Sequence, residues 1–430
     1  MADAPIENGN RMRNQLWFKV LIALFLGFGV GTAMGPDMQW MRADYAQTIG
    51  EWMALPGNLF LITLKFIVIP LVISSVMLGI ADGNDSGAIG TLGIGVIYFV
   101  ITTTIAISIS FFLGGLIEPG AQIAASATAE LVKPEIAAPD IAGRSIPDLL
   151  RGAMPTNMIR HMADNAMLQL VIAAAIFGLA MLRMDRDESQ PIMDLMRSTQ
   201  KVCMTVVLWL MRYAPIVVFG LIANTVIERG FSAISGVSLF FITVILALLA
   251  MLCVYSILLI FVARRSPIEF FKNSREVMVF AFSTSSSSAT MPVTLETSID
   301  RHKIHPGVTG LVIPLGTTIN MDGTALYQAV AALFIAQAFG IDLTTFQMAS
   351  IVVLAIAGSI GTPGIPSAGI PILAGILSSQ GIPVEGIALI LGVDRLLDMS
   401  RTVVNVMGDM TAAAVMDRLM GSRFAKHEMT

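Results

Sequence analysis

The sequence predicts an all-α, polytopic membrane protein, and three observations carry that reading. Hydrophobic residues make up 55% of the 430 positions and charged residues only 13%, where a soluble domain carries about 25% charged. The mean hydropathy is +0.78, and a single soluble core stops growing near roughly 250–300 residues, so lipid has to solvate the apolar excess. The apolar residues also gather into runs that reach the about 20 residues a bilayer crossing needs: 16–35, 52–81, 89–116, 165–183, 202–227 and 233–263. A formal net charge of −4 gives no reason to expect a nucleic-acid partner.

Taken in order, the tail 1–15 carries Arg11 and Arg13 and leads into the run 16–35. No clear small-residue cleavage site follows and further spans do, so this run is read as the first span and not as a removed leader. Several runs exceed a minimal span, which implies tilt. Polar joints are expected at 36–47, 82–87 and 183–201. The stretch 117–164, rich in Ala and Pro, is expected to be an external loop leading into the fourth span. Lys and Arg cluster before span one, between spans four and five (Arg183, Arg186, Arg197, Lys201) and after span six (Arg264, Arg265, Lys272, Arg275). Cytoplasmic loops are the positive ones, so the N-terminus is placed inside; Lys133, Arg144, Arg151 and Arg160 in the outer loop depart mildly from the rule. Cys203 and Cys253, the two cysteines, lie in apolar stretches and read as ordinary small hydrophobes.

Beyond residue 268 the spans are interrupted by small polar residues. Residues 282–290 read FSTSSSSAT and 357–369 read AGSIGTPGIPSAG. Pro363 and Pro366 break a helical ladder, and consecutive serines offer the backbone competing hydrogen bonds. Non-helical backbone survives at membrane depth only where protein buries it or where it lines a cavity. Each segment is apolar on both sides of its break, the pattern of a helix that enters, turns and leaves on the same side, and paired broken segments point to a transport site. The plainer alternative is that these are small-residue packing faces.

The last span concentrates charge. Asp394, Asp398, Arg401, Thr402, Asn405 and Asp409 fall within an arc of about 100° on one helix face. Each intramembrane charge costs ~2.5–3.5 kcal/mol on insertion scales, so the stripe is read as functional, with an internal ion-pair zipper as the structural alternative. Thr318, Asn320, Asp322 and Thr324 crowd oxygen ligands into PLGTTINMDGTALY (314–327), a helix that Gly323 is expected to loosen. Hard oxygens without His or Cys suit a hard cation and not zinc or copper. Asp322, Asp409, Asn320 and Asn405 are the economical cation site. The run Thr102–Thr104 is a weak signal, since threonines in an apolar span more often serve packing.

These segments resemble a known family. SSSSATMPVT (285–294), NMDGTALY (320–327), SIGTPGIPSAG (359–369) and DRLLDMSRTVVNVMGD (394–409), with YAPIVVFGLIA (213–223), are similar in order and spacing to the signature segments of the glutamate transporter family, the dicarboxylate/amino acid:cation symporters. The resemblance implies eight transmembrane helices plus two re-entrant helical hairpins, and an elevator-type homotrimer in a bacterial inner membrane. It divides the chain into scaffold spans (16–88 and 165–230), transport-domain spans (89–116 and 233–263), a first hairpin (268–298), span seven (303–340), a second hairpin (344–380), span eight (384–420) and a cytoplasmic tail (421–430). It implies that Asp398 receives a substrate ammonium and that Arg401 clamps a carboxylate, with Ser286, Ser287, Thr324, Ile365, Gly369, Thr402 and Asn405 completing the pocket. It implies Na+ as the coupling ion. One sodium site would use Thr102, Thr103, Asn320 and Asp322; a second Gly316, Asn405 and Asp409; a third Thr318, Ser359, Ile360 and Thr362. No organic cofactor is implied.

Aspartate at position 398 is associated with amino-acid substrates, so an acidic amino acid is expected, with a C4-dicarboxylate or a neutral amino acid as alternatives and an anion channel as the alternative of another class. The sequence also departs from its relatives: position 285 is serine where many microbial members carry arginine, Met399 stands where animal members carry it, and Arg395 appears one turn earlier. Gln328 replaces the acid of potassium-coupled members. An intramembrane protease would need a base beside its serine, and the four histidines, His161, His302, His305 and His427, lie in or beside polar joints. The chain is therefore not expected to be an enzyme.

Overall fold

The computed structural model describes residues 16–36, 38, 40–81, 89–121, 123, 151, 154–164, 166–181, 183–229, 232–359, 364 and 366–427. Among these every regular element is helical. In order they are α1 (Leu16–Met34), α2 (Ala43–Ala81), α3 (Ile89–Ile117), α4 (Met158–Ala163), α5 (Met167–Met181), α6 (Arg186–Arg212), α7 (Ala214–Arg229), α8 (Ser232–Leu258), α9 (Pro267–Asn273), α10 (Arg275–Thr284), α11 (Ser287–Asp300), α12 (Pro306–Ile319), α13 (Asp322–Ala338), α14 (Thr345–Ser359), α15 (Gly369–Ser379) and α16 (Ile387–His427). The tail 1–15, most of the loop 117–164, and Ile360, Thr362 and Ile365 lie outside the described residues.

Four stretches are long and apolar enough to cross a membrane: Ala43–Leu78, Ile94–Ile117, Gly236–Ala263 and Pro306–Ala338. Large side chains such as Phe66, Phe112, Leu116 and Phe261 are exposed on them, which only an apolar solvent tolerates on this scale. The chain is a multi-pass membrane protein.

Close backbone packing joins α1, α2 and α7. A Cβ at Gly27 would stand 2.5 Å from the Phe219 carbonyl oxygen and one at Gly31 2.8 Å from that of Ala223. One at Gly220 would overlap the Met53 carbonyl. Small residues let membrane helices approach in this way. A second set of contacts links α3, α8, α10, α12 and α13 to α16. At its centre α13 is buried along nearly its whole length, in keeping with an apolar helix surrounded on all sides.

Three expectations are corrected. The joint at 36–47 is shorter than its polarity suggested, because α2 already begins at Ala43. At about 1.5 Å per residue its 39 residues extend well beyond a hydrocarbon core, and the exposed Tyr45 and Trp52 lie near its start, suited to an interface. The joint at 183–201 is helical from Arg186, so the single span read at 202–227 is the end of α6 plus α7, bent by 61° about Tyr213. Hydropathy alone missed this because the first half of α6 is polar on one side. The break in span seven falls at Asn320 and Met321, before Gly323, which is itself helical.

Candidate substrate and cation site

Both broken segments hold strained residues at the turns that form their tips. α10 stops at Ser285, held at φ 51°, and the turn before α15 holds Ser367 at φ 64°. A left-handed non-glycine residue costs of order 1–3 kcal/mol and persists where the surroundings over-determine it. The tips touch at Gly364, whose carbonyl accepts from the Ser286 hydroxyl at 2.5 Å and from the Ser288 amide at 3.2 Å. A Cβ at Gly364 would stand 2.8 Å from Ser288 Oγ and 3.0 Å from its amide nitrogen, so glycine alone permits the approach.

Beneath the tips lies a cavity of about 20 Å³ lined by Ser285, Ser287, Met321, Thr324, Gly364, Ala368, Gly369, Asp398, Arg401, Thr402 and Asn405. That volume suits about one water. Arg401 dominates it and is only 1% exposed. Its Nη2 lies 2.8 Å from Asp398 Oδ1 and its Nη1 3.3 Å from Asp394 Oδ1, and its guanidinium carbon sits 4.3 Å from the centroid of the Tyr327 ring. Asp398 Oδ2 accepts from the Ser367 amide at 3.0 Å and faces Arg395 Nη1 at 3.4 Å. Buried charges need such compensation.

Behind the cavity, Asp322 Oδ1 accepts from Thr103 at 2.6 Å and Thr102 at 3.3 Å, and Oδ2 accepts from the Tyr255 hydroxyl at 2.7 Å. Asp409 Oδ1 accepts from Asn320 Nδ2 at 2.8 Å. Asn320 Oδ1 is buried and finds no hydrogen-bond partner among the described residues. A buried orphan acceptor on the side chain that holds the Asp409 carboxylate fits a hard cation, whose ligands are oxygens. Gly316 abuts Asp409 so closely that a Cβ there would overlap its carboxylate. Asn405 bridges the two regions: its Oδ1 accepts from the Gly323 amide at 2.7 Å and its Nδ2 donates to Thr324 Oγ1 at 3.2 Å.

Most of the residues expected from sequence therefore converge. Ser287, Thr324, Gly369, Asp398, Arg401, Thr402 and Asn405 line the cavity, and Thr102, Thr103, Asn320 and Asp322 cluster behind it. Ser286 does not line the cavity; its hydroxyl caps α11 and ties the tips together. Thr318 is exposed and bonds within its own helix to the Leu315 carbonyl, while Ser359 is buried and bonds to that of Ile356. Tyr255 and Tyr327 were missed. For Tyr255 the available signal was that a tyrosine hydroxyl inside an apolar helix needs a partner; Tyr327 offers its ring face to Arg401, for which nothing local gave a signal.

A sequence profile described as the sodium:dicarboxylate symporter family matches residues 16–419. The chain belongs to that family. This symporter is similar to the proton/glutamate-aspartate symporter of Escherichia coli (strain K12), 32% identical over 420 residues, covering 93% of this chain and 92% of the relative. It is also 32% identical to the proton/sodium-glutamate symport protein of Bacillus caldotenax, covering 94% of each. To the excitatory amino acid transporter 3 of Mus musculus it is 32% identical over 95% of this chain and 86% of the relative. The symporter is a transporter and not an enzyme.

Proposed function

We propose that the chain is a sodium-coupled symporter of an acidic amino acid, aspartate or glutamate, acting as a homotrimer in a bacterial inner membrane. The observation that carries this reading is the Arg401–Asp398 pair facing one small cavity under two hairpin tips. An acidic amino acid carries the same two charges in complementary order. Its distal carboxylate replaces Asp398 at the Arg401 fork, and its ammonium pairs with the Asp398 carboxylate, so each buried charge exchanges one partner for another. The names of the relatives, which mention glutamate and aspartate, support the same substrate class.

The oxygen cluster of Asp322, Asp409, Asn320, Thr102 and Thr103 supports sodium as the coupling ion, with the Gly316 carbonyl and Asn405 near the second position. Sodium there would supply positive charge for the two carboxylates, and Asn405 and Thr324 would convey its presence to the substrate cavity. The tips must part to admit a substrate, since about 20 Å³ does not hold an amino acid. The contacts of α1, α2 and α7, with α5 and α6 packed on α2, support a scaffold over 16–88 and 165–230, and the set centred on α16 supports a transport domain that includes α3, α8, α10, α12 and α13, with eight spans, two re-entrant hairpins and elevator motion as the fuller reading. Calorimetric titration of aspartate into the purified protein tests it: binding in sodium and none in choline is expected, and equal binding in both contradicts sodium coupling.

A further inference from the structure

We propose that Arg395 sets how strongly the pocket prefers an amino acid over a plain dicarboxylate, by standing in for the ligand's ammonium at Asp398. The inference deepens the acidic-amino-acid reading above and rests on it. Arg395 precedes Asp398 by three residues and Arg401 follows it by three, spacings that bring side chains together on one helix face. Arg401 holds Oδ1 at 2.8 Å and Arg395 faces Oδ2 at 3.4 Å.

The two guanidinium groups are held unequally. The Arg401 side chain is 2% exposed and is fixed by Asp394, Asp398 and the Tyr327 ring. The Arg395 side chain is 19% exposed, makes one long contact to Asp398, and has an Nε without a partner among the described residues. Arg401 exchanges Oδ1 for the ligand's own carboxylate, and Arg395, the more loosely held, is the cation that yields Oδ2 to the ligand's ammonium. A ligand ammonium competes with it for Oδ2, so for an amino acid Arg395 is a built-in competitor. A dicarboxylate brings no ammonium. Arg395 then stays in place and keeps Asp398 compensated, where a bare Asp398 would repel the second carboxylate at low dielectric.

Removing Arg395 should thus move the two ligand classes in opposite directions, which a loss of folding or packing cannot do. The test is the dissociation constant of aspartate and of succinate for the full-length protein in saturating sodium, in the wild type and in Arg395→Leu, Arg395→Gln and Arg395→Lys. Aspartate should tighten a few-fold and succinate weaken, so the selectivity ratio rises by about tenfold or more in the Leu and Gln variants and stays near wild type in the Lys variant. An unchanged ratio, or parallel weakening of both ligands, overturns the proposal and leaves the acidic-amino-acid reading intact. If succinate is too weak to titrate, aspartate alone decides: tightening in the Leu variant supports the role and its absence overturns it. A wild type that binds succinate and neither aspartate nor glutamate defeats the functional reading, and the succinate affinity of the Leu variant still decides the role of Arg395. A wild type that binds none of them defeats both.

Discussion

In the proposed sodium coupling, Asp322 and Asp409 are the residues on which cation binding would depend most directly. Each is at most 1% exposed and faces hydroxyl or amide groups instead of a basic side chain. Sodium should raise the thermal midpoint of the wild type, because a ligand bound only to the folded state stabilises it. Asp322→Asn and Asp409→Asn should remain folded and lose much of that rise; an equal sodium response in mutant and wild type contradicts the assignment. Arg401→Cys should cost acidic amino acids about 2–5 kcal/mol of binding, at least about thirtyfold, and open the pocket to a neutral amino acid such as serine. Aspartate affinity retained by the variant removes Arg401 from the recognition role. The sequence made the carboxylates and the arginine legible, because intramembrane charge is costly wherever it stands. It left Thr102 and Thr103 ambiguous, since their partner Asp322 is about 220 residues away and nothing local distinguishes a ligand hydroxyl from a packing one. Tyr255, 67 residues from Asp322, was hidden for the same reason.

At the scale of elements, the helix breaks after α10 and before α15 were legible in the serine and proline runs and α6 was not, because its polar first half resembles a loop in a hydropathy reading. The tip contact rests on Gly364. Gly364→Ala places a methyl against Ser288, an overpacking worth about 1–3 kcal/mol. If the closed tips enclose the substrate, aspartate affinity should fall by at least about fivefold, with the sodium-induced thermal shift retained; unchanged affinity argues against closure as part of binding. The segments flanking α9–α11 have their own staple. The Arg265 guanidinium donates to the His302 carbonyl and pairs with Asp417 at 3.1 Å, and Asp417 accepts from the His305 amide. The His302 ring lies against Phe270 and 2.9 Å from Ser274 Oγ. Burial, with the charges of Arg265 and Arg301, lowers its pKa from 6.5 to about 4. The folded state keeps His302 neutral while the unfolded chain binds a proton below 6.5, so its contribution is fully present above 6.5 and is lost as pH falls towards 4. The thermal midpoint should drop on acidification through that window, and less steeply in His302→Gln; identical slopes remove His302 as the cause.

For the whole molecule, composition alone indicated a membrane protein, and the apolar runs located most helices. The number of spans was less legible, because α5, α14 and α15 are short and α13 is buried by protein and not by lipid. At 100 mV each inward sodium charge supplies ~2.3 kcal/mol, and a tenfold gradient adds ~1.4 kcal/mol. An acidic amino acid carries net charge −1 and works against the same potential, so one ion nets ~1.4 kcal/mol, about tenfold, and each further ion adds roughly 3.7 kcal/mol, several-hundred-fold more, if its binding is obligatory for substrate binding. The most direct measurement is uptake of labelled aspartate into proteoliposomes under an inward sodium gradient, beside a proton gradient alone and beside choline. Accumulation with sodium and none under the other two conditions is the predicted result. Undiminished accumulation without sodium would contradict the account.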